Sequence, residues 1–384
     1  MRILCIGLDF LMLRSYQWKA VELAKHSTDF LAVVPAKWRF LWSGGDITPE
    51  PGPLDSVPHR KIRVAMRGNK HFALFPPSFL KQTLRTFRPD IIDFDNEPFN
   101  ISAAQVIAAA RRHAPSAKVF LHASQNLMKR YPPPFNSIER YAFRHCAGVF
   151  ARNEEAVTVL QLRGMPEHKI HVMGHGVSLD EFETARARQL SGAATEGTVL
   201  YVGYLAHQKG VDTLIEACSR SHSFRSLTVA GDGPLLETLR DQAHEAGIGD
   251  RVDFRGRVNQ SELKELYASH TCLALPSRTT PVLVEQFGRV LVEAMAAGCP
   301  IVASTSGNIP RVVGNAGKLF PEDDAAALAA ALDDVLADPN ERGELQQRGI
   351  ERVKVAFTWS VRARSMAHVF QFNTLPDDAR AEAI

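Results

Sequence analysis

The chain has no two cysteines close enough to form a C-x-x-C pair: Cys5, Cys146, Cys218, Cys272 and Cys299 are far apart. That spacing argues against a zinc ribbon and against a disulfide framework. Most of these cysteines fall in apolar runs such as T-C-L-A-L, where the expected role is a small buried hydrophobe in a reducing, cytosolic compartment. Long apolar runs are also missing, none approaching the roughly 18 residues that a membrane-spanning helix needs. The opening M-R-I-L-C-I-G-L-D-F-L-M-L has some signal-peptide character, but Gly7 and Asp9 interrupt it and no small-residue cleavage site follows, so it reads as a first strand. Any membrane contact is expected to be peripheral. G-x-G-x-x-G is absent, which removes the expected support for a dinucleotide cofactor. A large charge of one sign is lacking as well: the net charge is +3, and no nucleic-acid partner is expected.

What is present is enough chain for two hydrophobic cores. With 384 residues, 45% hydrophobic and 23% charged, the composition is that of an ordinary globular protein long enough for two domains. The charge is uneven. Residues 1–185 hold 24 Lys and Arg against 17 Asp and Glu, and the remainder 21 against 25. Arg60, Lys61, Arg63, Arg67 and Lys70 supply much of the excess. Such a run is most simply a solvated face, and it can also hold an anionic lipid or a phosphate-bearing acceptor.

Short β-rich runs alternate with helical-period segments along nearly the whole length, which predicts α/β architecture with parallel sheets covered by helices. R-I-L-C-I-G-L, D-F-L-A-V-V, K-I-R-V-A-M, D-I-I-D-F, K-V-F-L-H and G-V-F-A-R read as strands of a first domain. The pattern restarts with T-V-L-Y-V-G, S-L-T-V-A-G, V-D-F-R-G, T-C-L-A-L-P and P-I-V-A-S. Between the halves, E-T-A-R-A-R-Q-L-S-G-A-A-T-E-G reads as a polar linker. The expected division is 1–188, 189–360 and a C-terminal helical segment, 361–384, packing back toward the first domain. Two doubly wound domains should bind a ligand in a cleft between them, outside the carboxyl ends of the strands.

The most informative stretch is residues 276–304, P-S-R-T-T-P-V-L-V-E-Q-F-G-R-V-L-V-E-A-M-A-A-G-C-P-I-V-A-S. Glu285 stands just ahead of a helix expected to start near Phe287, and Glu293 within it. Backbone N–H groups of Gln286, Phe287, Gly288 and Arg289 at that helix start form a natural phosphate seat. Carboxylates beside it suit sugar hydroxyls. By spacing alone, the favoured reading is the plainer one, with Glu285 a dipole-favoured helix-start acid and Glu293 an exposed helix residue.

This stretch resembles the signature of glycosyltransferase family 4, the group 1 glycosyltransferases: two glutamates separated by seven residues, then A-M-A-x-G-x-P-V/I-V. The resemblance implies a GT-B fold, two Rossmann-like domains facing each other across a cleft, and a nucleotide-sugar donor. It assigns the donor hexose to Glu285 and the nucleotide ribose to Glu293. Y-V-G-Y-L-A-H-Q-K-G, residues 201–210, resembles the family's G-R-L-x-x-x-K-G diphosphate grip: Lys209 matches the lysine, and Tyr204 stands in place of the arginine. Arg278 and Arg289 are the nearest candidates to replace it. V-A-G-D-G-P and F-R-G-R-V resemble the walls of the nucleotide pocket, which implicates Gly231, Gly233, Arg257 and Val258.

In the first half, L-H-A-S-Q-N-L-M-K-R-Y-P-P-P-F, residues 121–135, leaves a strand for a proline-rich loop. It resembles an acceptor-side pattern in a subset of these enzymes, which implies a catalytic place for His122, beside the acceptor hydroxyl or the reacting sugar, and acceptor-side places for Gln125, Asn126, Lys129 and Arg130. A lone histidine after a strand is commonly a satisfied structural residue. His175 stands where the family usually has P-N-G-V-D, and reads as hinge lining. In the first-strand loop the family's paired glycines are missing, and Asp9, Arg14 and Ser15 are ordinary loop residues that can face the cleft.

The resemblance therefore implies a retaining hexosyltransferase taking a nucleoside-diphosphate sugar as co-substrate. The acceptor would be a glycan, a lipid-linked molecule or a small molecule. Leaving-group charge would fall to Lys209 and the helix start, since no carboxylate pair at glycosidase spacing can be assigned. No metal or other cofactor is expected: D-x-D is absent as a signature, and D-F-D at 93–95 ends a strand where a structural role fits equally. A non-hydrolysing nucleotide-sugar epimerase and a silent nucleotide-sugar-binding protein are the alternatives. The expected location is cytoplasmic, with peripheral contact at the inner face of the membrane through the basic half.

Overall fold

Apolar runs of four to seven residues become the inner strands of two separate parallel sheets, because strands covered on both faces must be apolar on both. In the computed structural model, which describes residues 1–8, 10–40, 45–281 and 283–376, the strands are β1 (Arg2–Gly7), β2 (Asp29–Pro35), β3 (Trp38–Arg39), β4 (Asp46–Ile47), β5 (His59–Ile62), β6 (Ile91–Asp95), β7 (Lys118–Ala123), β8 (Gly148–Ala151), β9 (Ile170–Val172), β10 (Thr195–Val202), β11 (Ser226–Ala230), β12 (Val252–Gly256), β13 (His270–Leu275), β14 (Ile301–Ser304) and β15 (Gly317–Phe320). The first sheet runs β5-β2-β1-β6-β7-β8-β9 and the second β12-β11-β10-β13-β14-β15. Pairings in both are parallel, for example Ile6 with Val33, Gly7 with Asp95 and Val202 with Ala230. Strands β3 and β4 form a small antiparallel ladder.

Both sheets are doubly wound, so the expected α/β class holds. In each, the chain builds outward from its first strand on one side and then jumps to the other. The order reverses between β1 and β6 in the first sheet and between β10 and β13 in the second. Loops leaving the carboxyl ends of strands at such a reversal diverge and leave a crevice for a ligand. Four strands fall outside the expected set: the two-residue β3 and β4 of the small ladder, and β9 and β15 of the main sheets. β9 and β15 are edge strands of three or four residues, paired on one side only, and so lack the long apolar signature of inner strands.

Each unit has its own hydrophobic core. The first comprises Met1–Gly176 together with the chain from Trp359 onward, and the second Val177–Thr358. The first division therefore falls at 176/177, earlier than the expected 188/189. The reason is that the supposed polar linker is the helix Glu183–Leu190 of the second unit. Gln189 anchors it by donating to the carbonyls of Tyr267 and His270 at 2.5 and 2.6 Å, and Arg186 donates to the carbonyl of Ala296 at 3.1 Å. A helix that is mostly polar yet held by such side-chain bonds has no apolar period to betray it.

The helix Trp359–Phe372 belongs to the first unit. Trp359 Nε1 donates to the carbonyl of Ser15 at 3.0 Å, and Phe370 packs on Phe120 and Phe150 with ring centroids at 4.9 and 5.9 Å. Burying side chains of this size is worth roughly 1.5–3 kcal/mol each. No helix among the described residues is long and apolar enough to cross a membrane.

Candidate active site

In the second unit, the loops that follow β10 and β13 at the strand-order reversal meet through an ion pair. Lys209 Nζ donates to Glu285 Oε2 at 2.6 Å. Ser277 Oγ, just past β13, donates to the same oxygen at 3.2 Å, and the Gly288 N–H reaches Oε1 at 3.2 Å. Burial alone would raise the Glu285 carboxyl. The Lys209 ammonium, with Ser277 and Gly288, outweighs it and holds the group below its usual range. The pair is not sealed: the Lys209 and Glu285 side chains are 21% and 12% exposed, so an incoming anion can compete for the ammonium.

The helix after Glu285 runs Arg289–Ala296, two residues later than expected. Gly288 is its N-cap in the left-handed conformation, φ 68°, which favours glycine. Its N–H is spent on Glu285, so the seat expected to offer this N–H to a phosphate offers it to a carboxylate instead. Phe287 turns inward against Phe357. Glu293, expected to be exposed if it had no role, is buried: Tyr267 Oη donates to it at 3.2 Å and Arg289 Nε lies 3.0 Å away.

Tyr204 is 54% exposed, and Tyr201 Oη donates to its carbonyl at 3.1 Å. Arg278 does not stand free to replace the missing arginine. Its guanidinium is buried, 2.7 Å from both Asp212 and Asp323, and donates to Thr213 at 2.8 Å; its positive charge is already balanced. Arg289 is the better placed of the two, since its ion pair is with Glu293 of the same segment.

Gly231 and Gly233 have a packing role. A Cβ at Gly231 would sit 1.8 Å from the Gly203 carbonyl oxygen, and one at Gly233 2.3 Å from that of Leu205. The turns after β10 and β11 are zipped together there, with Gly203 N–H donating to Ala230 and Leu205 N–H to Asp232. The turn after β12 joins them: Gly231 bridges Gly256, and exposed Arg257 lies 3.7 Å from Asp232. Val258 packs at the rim of the core. Gly203 and Leu205, on which the two glycines pack, open the loop that carries Lys209.

In the first unit, the equivalent carboxyl-end position holds a buried ion cluster. Lys19 Nζ lies 2.8 Å from Asp93 and 3.0 Å from Asp95, and Arg152 donates to Asp95 at 2.8 Å. Despite burial, which opposes it, Lys19 and His122 draw Asp93 down to about 2, and Arg152 leads the lowering of Asp95. The D-F-D pair is thus consumed by cations. His122 belongs to the same cluster: it is 2% exposed, with Nε2 2.7 Å from Asp93 and 3.1 Å from Lys19. Burial holds its pKa below the ordinary value. The catalytic expectation for His122 fails here because a sealed, paired imidazole presents nothing to an acceptor. Lys19 carried no sequence signal, standing in an ordinary helix, Arg14–Ala24.

The loop after β7 is equally self-contained. Gln125 donates to the Leu127 carbonyl at 2.9 Å, and Asn126 is buried. Arg163 ties the loop down, pairing with Glu139, donating to the Lys129 carbonyl at 2.7 Å and covering the Tyr131 ring at 4.2 Å. Lys129 and Arg130 remain exposed. Gln125 therefore stabilises the loop from within. His175 packs against Tyr16 and Phe10. Arg14 N–H is taken by Glu50 and the Ser15 carbonyl by Trp359, while Asp9 lies outside the described residues.

Residues 183–352 match the group 1 glycosyl transferases and residues 41–181 match Glycosyltransferase Family 4. The chain belongs to the group 1, family 4 glycosyltransferases. A GDP-mannose-dependent alpha-(1-6)-phosphatidylinositol monomannoside mannosyltransferase of Mycobacterium tuberculosis is 32% identical over 214 residues, 53% of this chain and 56% of that one. A 2-deoxystreptamine glucosyltransferase of Streptomyces kanamyceticus is 31% identical over 221 residues, 54% and 56% of the two chains. The chain thus aligns with little more than half the length of these relatives. Among solved structures, Anabaena HepE in complex with UDP superposes with a TM-score of 0.71 at 18% identity, covering 97% of this chain and 100% of that one. This likeness gives the fold, the two-domain α/β GT-B architecture.

Proposed function

We propose that the protein is a retaining glycosyltransferase that moves a hexose from a nucleoside-diphosphate sugar to a polyhydroxylated acceptor. The observation that carries the reading is the Lys209–Glu285 pair at the strand-order reversal of the second sheet. On this reading the donor diphosphate takes Lys209 from Glu285, and the released carboxylate accepts hydrogen bonds from the hexose hydroxyls. Glu293, oriented by Tyr267 and Arg289, serves the ribose. As the bond from the anomeric carbon to the phosphate breaks, negative charge gathers on the leaving diphosphate. Lys209 and Arg289 neutralise it, which lowers the barrier electrostatically. The acceptor hydroxyl attacks from the same face, keeping the anomeric configuration, and its proton passes to the departing phosphate oxygen. No metal enters the proposal.

The two relatives are named for acceptors that are inositol- or aminocyclitol-based, which favours a ring rich in hydroxyls here. The proposal includes a cytoplasmic location and a peripheral anionic-membrane contact through the first unit, where Arg60, Lys61, Arg63, Arg67 and Lys70 are exposed beside Met66 and Phe72. Vesicle binding indifferent to salt and lipid charge would remove that part. The main test is a thermal-shift screen of nucleotide sugars on wild type and Glu285→Ala, then product analysis by NMR. An inverted linkage, or epimerisation of the donor without acceptor, overturns the reading.

A further inference from the structure

One carboxylate in the first unit is held in place yet left half open. Glu97 leaves the carboxyl end of β6, at the strand-order reversal of the first sheet. Its backbone is pinned by its neighbours: Asn96 Oδ1 accepts the Glu97 N–H at 3.0 Å, Asn96 Nδ2 donates to Ser102 at 2.7 Å, and Asn100 Oδ1 lies 2.8 Å from His71 Nδ1. Phe99 stacks near Tyr131 at 4.3 Å, which fastens this turn to the loop after β7. The Ser124 N–H of that loop donates to Glu97 Oε1 at 2.7 Å. Among the described residues Oε2 has no hydrogen-bond partner, and the residue is only partly buried. In the neighbouring loop Gln125 is turned to internal use, on the Leu127 carbonyl, and Asn126 is buried. A rigidly supported group with one unspent acceptor is what a binding site requires.

We infer that Glu97 is an acceptor-binding residue, its Oε2 taking a hydrogen bond from a hydroxyl of the polyhydroxylated acceptor. The inference rests on the transferase reading above and gives the acceptor a named contact in the first unit. The charged and titratable groups around Glu97 are Lys70, Arg152, Glu139 and Tyr131. Burial raises the carboxyl most. The Ser124 N–H, Lys70 and Arg152 oppose it, Glu139 adds to it, and the balance stands at about 7. Only the anion is purely an acceptor of hydrogen bonds, so acceptor affinity should weaken as pH falls through that value.

The test compares wild type, Glu97→Gln and Glu97→Asp, with the donor found by thermal shift and with myo-inositol and methyl α-D-mannopyranoside as acceptor probes. In Glu97→Gln the amide oxygen can still accept from Ser124, so the loop is preserved, and a donor-induced thermal shift checks that the variant is folded. The expected result is an acceptor KM raised about tenfold or more, with kcat little altered. Wild-type acceptor KM should rise between about pH 8 and pH 6, that rise should vanish in Glu97→Gln, and Glu97→Asp should retain it. An unchanged acceptor KM and pH profile in Glu97→Gln, with wild type active, overturns the assignment and leaves the transferase reading intact. Loss of the donor-induced shift in Glu97→Gln makes the residue structural and also overturns it. Wild type that transfers from no nucleotide sugar to any probe overturns both.

Discussion

Lys209 Nζ and Glu285 Oε2 lie 2.6 Å apart although 76 residues separate them. The pair forms because β10 and β13 are neighbours in the sheet while β11 and β12 lie on the other side of β10. A lysine whose partner is a carboxylate can exchange it for a phosphate without ever being left bare, so the site is both stable when empty and ready for an anion. Replacing Lys209 by Met or Glu285 by Gln should lower kcat/KM by about 10²–10³, the range for losing one preorganised charge-stabilising group. Steady-state kinetics with the screened donor checks this, and near-wild-type turnover in either variant would remove the pair from the mechanism.

Lys19 is buried with Asp93 and Asp95, 2.8 and 3.0 Å from their carboxylates. Removing the cation while both carboxylates stay should cost about 3–5 kcal/mol, the penalty for uncompensated buried charge. Urea unfolding of Lys19→Met reads it directly. A loss below about 1 kcal/mol would mean that the cluster relaxes or hydrates.

At Gly231 the limit is space. A methyl group there would overlap the Gly203 carbonyl oxygen, a backbone atom that cannot swing aside. Gly231→Ala should therefore destabilise by about 1–3 kcal/mol and weaken the donor-induced thermal shift, because the turn it displaces joins the loop carrying Lys209. Wild-type stability together with a wild-type shift would sink the close-packing account.

His171 in β9 is buried, and burial drives its pKa from 6.5 to about 4. The unfolded chain then binds the proton more tightly, so stability is lost as pH falls from about 6.5 toward 4. Glu97, raised to about 7 by burial, acts in the opposite sense: the folded state binds its proton more tightly, and its contribution is lost as pH rises from about 4.5 to 7. The measurement is therefore a difference. Wild type minus His171→Gln, compared by urea midpoint at pH 6.5 and pH 4.5, should show wild type losing up to roughly 2 kcal/mol more on acidification. Parallel pH profiles for the two would contradict it.

The sequence by itself determined the inner strands of both sheets, the restart of the α/β pattern and the positions of Glu285, Glu293 and Lys209. Strand and helix periodicity report which faces are buried, and a matched motif reports which residue types stand at which spacing. Both signals are local, and these features are local. The polar helix Glu183–Leu190 was read as a linker because what holds it, Gln189 on Tyr267 and His270, leaves no periodic trace.

Only the tertiary structure decided how the charged side chains are spent. It gave Arg278 to Asp212 and Asp323, closed His122 over Asp93, buried the D-F-D pair on Lys19 and Arg152, and left Glu97 half open. The physical reason is that a charge's role depends on its partner and on the water left around it. Strand order fixes both, by bringing loops far apart in the chain to one edge of a sheet.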